Sequence, residues 1–313
     1  GFMIKEAIKK LVAGNDLTFD EAAQVMDEMF SGTATQSQMA AYLTALRIKG
    51  ETIDEITASA QVMREKALHI KPNRDVLDIV GTGGDGTGTF NISTTAAFII
   101  AAAGIPVAKH GNRSMSSKSG SADCFEQLGI NINITPEKSE EVLNKAGICF
   151  MFAQGYHSSM KYVGPARKEI GIRNIFNVLG PLTNPAGADL QVTGVYSETL
   201  VEPIAQVFSN LGVKKGYVFY GMDGMDEVTL TTTTKVCEID NGKFNTFILN
   251  PEDYGLKLCA PEDLAGGDGK ENAEITKEIL QLYRKAKLED WEKEEFLRAT
   301  VHTMMSACTY YAG

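Results

Sequence analysis

The sequence predicts an α/β protein in two parts: a small N-terminal helical bundle and a large domain built on a mainly parallel sheet. Three observations carry that reading. The chain has 313 residues, 43% of them hydrophobic, which is enough for more than one core. Its first 72 residues hold three Thr-x-x-Glu/Gln boxes, each the mark of a helix N-terminus. Beyond residue 73 short apolar runs alternate with helical patterns. Because these runs are continuous, both faces of the strands must be covered.

Ile4, Ala7, Ile8, Leu11 and Val12 recur at helical spacing until "GND" breaks the pattern. The boxes Thr18 with Glu21, Thr35 with Gln38 and Thr52 with Glu55 open three more helices, giving a bundle over residues 3–72. These helices share no further motif, so their even spacing is not a repeat. In the large domain, 73–313, strands are predicted at 76–80, 105–109, 149–153, 191–196 and 216–221, with helices at 93–103, 120–128, 136–146 and 200–211. Residues 165–185 are expected to pack with the bundle. Short strands at 228–232, 235–239 and 244–249 make an antiparallel appendage, and a charged helical region begins near 270. Gly1 and Phe2, ahead of Met3, read as a remnant outside the fold.

A formal charge of −10 argues against nucleic acid or an anionic membrane as partner, since clustered Lys and Arg hold such surfaces. Small anions remain allowed at a local site. Cys124, Cys149, Cys237, Cys259 and Cys308 are widely spaced and odd in number, which favours a reducing compartment. The chain shows no signal-peptide pattern, and its longest apolar run, "AAFIIAAAGI", is too short to span a bilayer. A cytoplasmic protein is expected.

The chemistry concentrates in "DIVGTGGDGTGTFNISTTAAF", residues 78–98. Side chains contribute little across Gly81 to Gly88, so binding there must rest on the backbone. Gly81, Gly83 and Gly86 match G-x-G-x-x-G, but a dinucleotide site needs the helix to start within the glycines and an acid to end the next strand. Here the loop runs on through Gly88 and Phe90, and the next strand ends in Lys109-His110. A Walker A loop needs Lys directly before Ser or Thr, and none is present. A glycine-rich turn without a ligand is the bland alternative. What the residues favour is an anion nest, in which backbone N–H groups are followed by the hydroxyls and free N–H groups of a helix start near Ser93. Asp85 is the odd member, because a carboxylate repels phosphate. It suits a sugar hydroxyl, an incoming amine or a metal.

A second loop, "KHGNRSMSSKSGSAD" (109–123), also joins a strand end to a helix and carries Lys109, Arg113, Lys118 and five serines. It reads as a second anion-contacting segment on the same sheet edge, facing the first. These two loops, then "GIRNIFNVLGPLTNPAGA" and "MDEVTL", in this order after a helical bundle, resemble the anthranilate phosphoribosyltransferases from about residue 4 to about residue 275. The resemblance implies a nucleoside phosphorylase or phosphoribosyltransferase-like fold. It implies a pentosyl transfer in tryptophan biosynthesis that joins anthranilate to the phosphoribosyl group of phosphoribosyl pyrophosphate. It also implies a homodimer through the bundle and magnesium, two ions per subunit. A glutamine amidotransferase or anthranilate synthase partner is compatible with the family and is not written in this chain.

By resemblance, phosphoribosyl pyrophosphate is bound by Gly81, Gly84, Asp85, Thr89, Asn91, Ile92, Ser93, Thr94, Lys109, Ser117 and Ser121. Magnesium falls to Ser93, Asp226 and Glu227, although on spacing alone that acidic pair reads as a solvated turn. Anthranilate falls to Gly81, Asn112 and Arg167, with His110 and His157 bordering an aromatic channel. Lone histidines are more often ordinary hydrogen-bonded residues, and Arg173 competes with Arg167 for the carboxylate. No single acid or base is expected, and positioning by Arg167, Asn112 and His110 dominates. The stretch "LYRKAKLEDWEKEEF" departs from the family pattern in length and charge, and the chain stops at Gly313 where family members continue through another helix. The rival readings are a pyrimidine nucleoside phosphorylase, which carries a different loop in place of "KHGNR", and a catalytically silent nucleotide-binding protein.

Overall fold

The computed structural model describes residues 1–114 and 119–285. Ser117 and Lys118, the stretch beyond 285 and Cys308 lie outside the described residues. The chain opens with α1 (Ile4–Val12), α2 (Phe19–Phe30), α3 (Gln36–Lys49) and α4 (Ile53–Lys66). All three boxes form. Glu21, Gln38 and Glu55 amides donate to the Thr18, Thr35 and Thr52 hydroxyls at 3.2, 3.1 and 3.1 Å, and the acid or amide side chains accept from the threonine amides in return. Phe2 packs against the bundle core, contrary to its reading as a remnant outside the fold, because its ring covers apolar surface next to α1.

The large domain runs β1 (Leu77–Gly81), α5 (Ile92–Ala102), β2 (Val107–Gly111), α6 (Ser121–Gln127), α7 (Pro136–Ala146), β3 (Ile148–Phe152), α8 (Ala153–Tyr156), α9 (Gly164–Ile170), α10 (Phe176–Leu182), β4 (Leu190–Gly194), α11 (Val201–Asn210), β5 (Lys215–Gly221), β6 (Thr234–Asp240), β7 (Lys243–Leu249) and α12 (Gly269–Lys285). The sheet order is β3-β2-β1-β4-β5-β6-β7. The first five strands are parallel, and β6 and β7 add antiparallel to β5. Both faces are covered. Leu77, Ile79 and Val107 pack with Ile92 and Ile279 on one side, while Val218 and Ile239 join α11 on the other. The second strand starts at Val107 rather than 105, since Pro106 has no N–H to pair and offers only its carbonyl, to Leu77.

Residues 228–232 are not a strand. Their β-branched threonines serve hydrogen bonding instead: the Thr229 and Thr231 hydroxyls both donate to Asp223, and the Thr229 amide donates to the Thr234 hydroxyl at 3.2 Å. That closes a loop which carries Asp226 and Glu227. Val163, Ala166, Phe176 and Leu182, in and around α9 and α10, share one buried cluster with Phe30, Leu43 and Met63 of the bundle. Arg64 of α4 donates to the Leu182 carbonyl at 2.6 Å and the Leu211 carbonyl at 3.3 Å, capping two helices at once, and burial pushes its guanidinium down to about 10. Among the described residues no helix is long and apolar enough to cross a membrane.

Candidate active site

Strands β1, β2 and β4 each end in glycine, at Gly81, Gly111 and Gly194. The reason is close approach. A Cβ on Gly194 would overlap the Asp226 carbonyl, one on Gly81 would overlap the Asp226 carboxylate, and one on Gly111 would overlap the Ser121 hydroxyl. From Gly81 the chain turns outward through Gly83, Gly84, Gly86 and Gly88, whose φ angles of 72°, 70°, 70° and 63° lie where other residues are strained. The far side of the loop is zipped to residues 264–266: Gly266 N–H donates to the Gly88 carbonyl at 2.8 Å, and Phe90 N–H to the Leu264 carbonyl at 3.1 Å. Thr89 bridges Ala265 in the same ladder.

Three carboxylates converge under this loop. Asp226 accepts from Gly83 N–H at 2.8 Å, and its own amide donates to Asp85 at 3.0 Å. Glu227 accepts the Ser93 hydroxyl at 2.8 and 3.1 Å, at the N-terminus of α5. Burial, then the charges of Asp85 and Glu227, holds the Asp226 carboxyl well above the ordinary range. Burial also pushes Glu227 up to about 7. It acts on Asp85 in the same sense, but hydrogen bonds from Asp226 and Thr87 outweigh it and leave Asp85 below its usual value. Near its value of about 7, Glu227 is therefore only partly ionised at neutral pH.

Lys109 is not presented to the loop surface as sequence reasoning placed it. Its side chain is buried and donates to the Ile79 carbonyl of β1. Burial lowers its pKa, against the charges of Asp78, Glu227 and Asp226. On the opposite sheet face, buried Asp78 accepts from the His110 amide at 3.3 Å and is pushed by burial to about 6. His110 and His157 lie 5.0 Å apart, centroid to centroid, both buried. The His110 Nδ1 meets the Gly180 carbonyl at 3.1 Å. Burial drives His110 well below its ordinary value and His157 down to about 4, so both are neutral imidazoles at pH 7.

The two loops touch where the Ser119 hydroxyl donates to the Asn91 side chain at 3.2 Å. Ser121 opens α6, and Ile92 and Thr94 are buried in the first turn of α5. Asn112 turns its side-chain oxygen to the Arg113 amide at 2.8 Å. Arg113 is no free anion contact: it pairs with Asp123 and Glu126 and lies over the Phe152 ring. Arg167 of α9 stacks 5.3 Å from the Phe176 centroid, and burial alone lowers its guanidinium, so no carboxylate among the described residues balances it. Arg173 instead donates to the Gly84 carbonyl and lies 3.9 Å over the Tyr196 ring.

Residues 5–67 match the helical bundle domain of the glycosyl transferase family and residues 73–307 its a/b domain. An anthranilate phosphoribosyltransferase of Ruminiclostridium cellulolyticum is 58% identical over 278 residues, which cover 89% of this chain and 82% of the relative. The chain belongs to the anthranilate phosphoribosyltransferase family. Among solved structures, the anthranilate phosphoribosyltransferase of Thermus thermophilus superposes with a TM-score of 0.86 at 39% identity, over 98% of this chain and 96% of that one. The Saccharomyces cerevisiae enzyme, solved in complex with phosphoribosyl pyrophosphate and magnesium, gives 0.83 at 26% identity over 99% and 95%.

In this member of the anthranilate phosphoribosyltransferase family, sequence reasoning missed two features of the site. One is the alliance of Asp85 with Asp226, 141 residues apart; the unexplained carboxylate in the loop was the available signal. The other is the bond from Arg173 to Gly84, which no spacing announces.

Proposed function

We infer that the protein transfers the phosphoribosyl group of phosphoribosyl pyrophosphate to the amine of anthranilate, giving N-(5-phosphoribosyl)anthranilate and pyrophosphate in tryptophan biosynthesis. The observation that carries this reading is the convergence of Asp85, Asp226, Glu227 and Ser93 beneath a loop of left-handed glycines at a helix N-terminus. In the reaction the bond from ribose C1 to a pyrophosphate oxygen breaks, C1 bonds to the anthranilate nitrogen, and that nitrogen loses one proton. Negative charge grows on the leaving group while C1 becomes oxocarbenium-like. Fixed donors aimed at the leaving group therefore supply most of the acceleration.

The amides of Gly84 and its neighbours, with Thr89, Asn91, Ser93, Thr94 and Ser121, bind the pyrophosphorylated sugar, and Lys109 adds a buried positive charge beneath them. Arg167 takes the anthranilate carboxylate with its planar fork, and Asn112, Gly81 and the neutral His110 and His157 line the acceptor side. An aryl amine is already neutral at pH 7, so no strong base is required.

Among the described residues, no three His, Cys, Asp or Glu side chains are arranged to hold a metal unaided. The donor set of Ser93, Asp226 and Glu227 nevertheless fits magnesium: hard oxygens, two of them on carboxylates that burial pushes toward the protonated form and that a divalent cation would favour as anions. Substrate phosphate oxygens would complete its shell, and two ions per subunit are proposed. Bound magnesium supplies charge neutralisation to the departing pyrophosphate. A homodimer through the bundle is also proposed, on the family resemblance alone. The free Cys124, Cys149, Cys237 and Cys259 support a cytoplasmic setting.

The test uses anthranilate fluorescence. Emission should decay with purified protein when phosphoribosyl pyrophosphate and magnesium are both supplied, and in neither single omission. Phosphate-dependent cleavage of uridine or thymidine, with steady anthranilate emission, would overturn the reading.

A further inference from the structure

Arg173 stands between α9 and α10, 89 residues from the loop it touches. Its Nη2 donates to the Gly84 carbonyl, while its Cζ lies 3.9 Å from the centroid of the Tyr196 ring, just beyond β4. A Cβ on Gly84 would fall 3.5 Å from Nη2 and 3.8 Å from Nε, so the guanidinium lies against the loop backbone itself. We propose that Arg173 is a positioning residue that locks the Gly84–Asp85 peptide, and with it the anion-binding loop, in its binding orientation.

The reason lies in peptide geometry. In a planar trans peptide the C=O and N–H point in opposite directions. Holding the Gly84 carbonyl against Arg173 therefore commits the Asp85 amide to the other side. Local chain stiffness cannot do this, because Gly83, Gly84 and Gly86, at φ of 72°, 70° and 70°, cross between backbone regions at little cost. A rotated peptide would put a carbonyl oxygen where the phosphate needs a donor. It would also drag Asp85 from the Asp226 and Thr87 amides, which it accepts at 3.0 and 3.1 Å. Arginine suits the task because its flat fork stacks on Tyr196 and donates at its edge, which a lysine ammonium does not do.

The lock rests on the reading of the loop as the phosphate site, and steady-state kinetics of wild type, Arg173→Ala, Arg173→Lys, Tyr196→Leu and Arg173→Ala/Tyr196→Leu separate the two. Arg173→Ala should raise the KM for phosphoribosyl pyrophosphate about tenfold, the loss of one charge-assisted hydrogen bond. The KM for anthranilate should stay within about twofold of wild type on the same reasoning. Arg173→Lys should recover part of the loss, and the double variant should be no worse than Arg173→Ala. Amide hydrogen exchange over residues 82–88 should quicken in Arg173→Ala with no change in melting temperature. Arg173 is exposed, so its truncation spares the core; if that protein did not fold, Tyr196→Leu would carry the same comparison. A rise in the anthranilate KM instead, equal effects on both substrates, or unchanged loop exchange would overturn the lock. An inactive wild type would defeat the reading of the site, whereas an active wild type equalled by Arg173→Ala would defeat the lock alone.

Discussion

Two buried carboxylate sites in this chain have opposite surroundings. In the bundle, Glu55 is fully buried and meets Lys49 at 2.8 Å, the Thr52 amide at 2.8 Å and the Leu17 amide at 2.9 Å. At the sheet edge, Asp226 and Glu227 are buried with Asp85 for company, and both are pushed toward the protonated form. A carboxylate surrounded by donors and a cation ties elements together. Carboxylates packed against each other weaken the fold and make sense where a cation arrives with the substrate.

The sharpest way to break this comparison is to neutralise both acids of the site. Asp226→Asn/Glu227→Gln should lower magnesium-dependent turnover on the order of a thousandfold while the protein stays folded, since only transition-state charge stabilisation is lost. A fully active double variant, in the fluorescence assay, would end the metal role. Glu55→Ala should do the reverse. It leaves the buried Lys49 with only the exposed Asp16 and the Gly50 carbonyl, strips the Leu17 and Thr52 amides of their acceptor, and should cost about 3 kcal/mol in urea unfolding, with turnover per folded molecule retained.

Arg167→Ala comes next: loss of a bond to a charged group should raise the anthranilate KM roughly 10- to 100-fold and that of phosphoribosyl pyrophosphate far less. Equal effects on both substrates would refute the assignment.

The smallest effect concerns pH. Because the folded-state values of Asp226 and Glu227 lie above their unfolded ones, the fold binds extra protons from about pH 4.5 upward, and stability from this cluster falls as pH rises toward 7. The buried neutral His110 and His157 act oppositely, losing stability as pH falls below about 6.5. Magnesium separates the two, since it acts on the acids alone. The rise in melting temperature that magnesium produces should be larger at pH 8 than at pH 6, and equal rises would show that the acids do not exchange protons for the ion.

What could be read in advance follows from how local each signal is. The parallel strands were legible because continuous apolar runs report burial on both faces, and the capping boxes because their partners are three residues apart. The glycine loop was legible for the same reason. Residues 228–232 misled because threonine serves a strand and a hydroxyl-bonded loop equally well. The burial of Lys109 depends on sheet register, and the capture of Arg113 by Asp123 and Glu126 depends on how α6 faces the loop, neither of which a linear pattern encodes.

The most direct measurement is a crystal structure of the protein with phosphoribosyl pyrophosphate and magnesium. The pyrophosphate should lie against the backbone around Gly84 and the α5 N-terminus at Ser93, with metal on the side of Asp226 and Glu227. Pyrophosphate bound away from that loop, with no metal beside the acidic pair, would contradict the account.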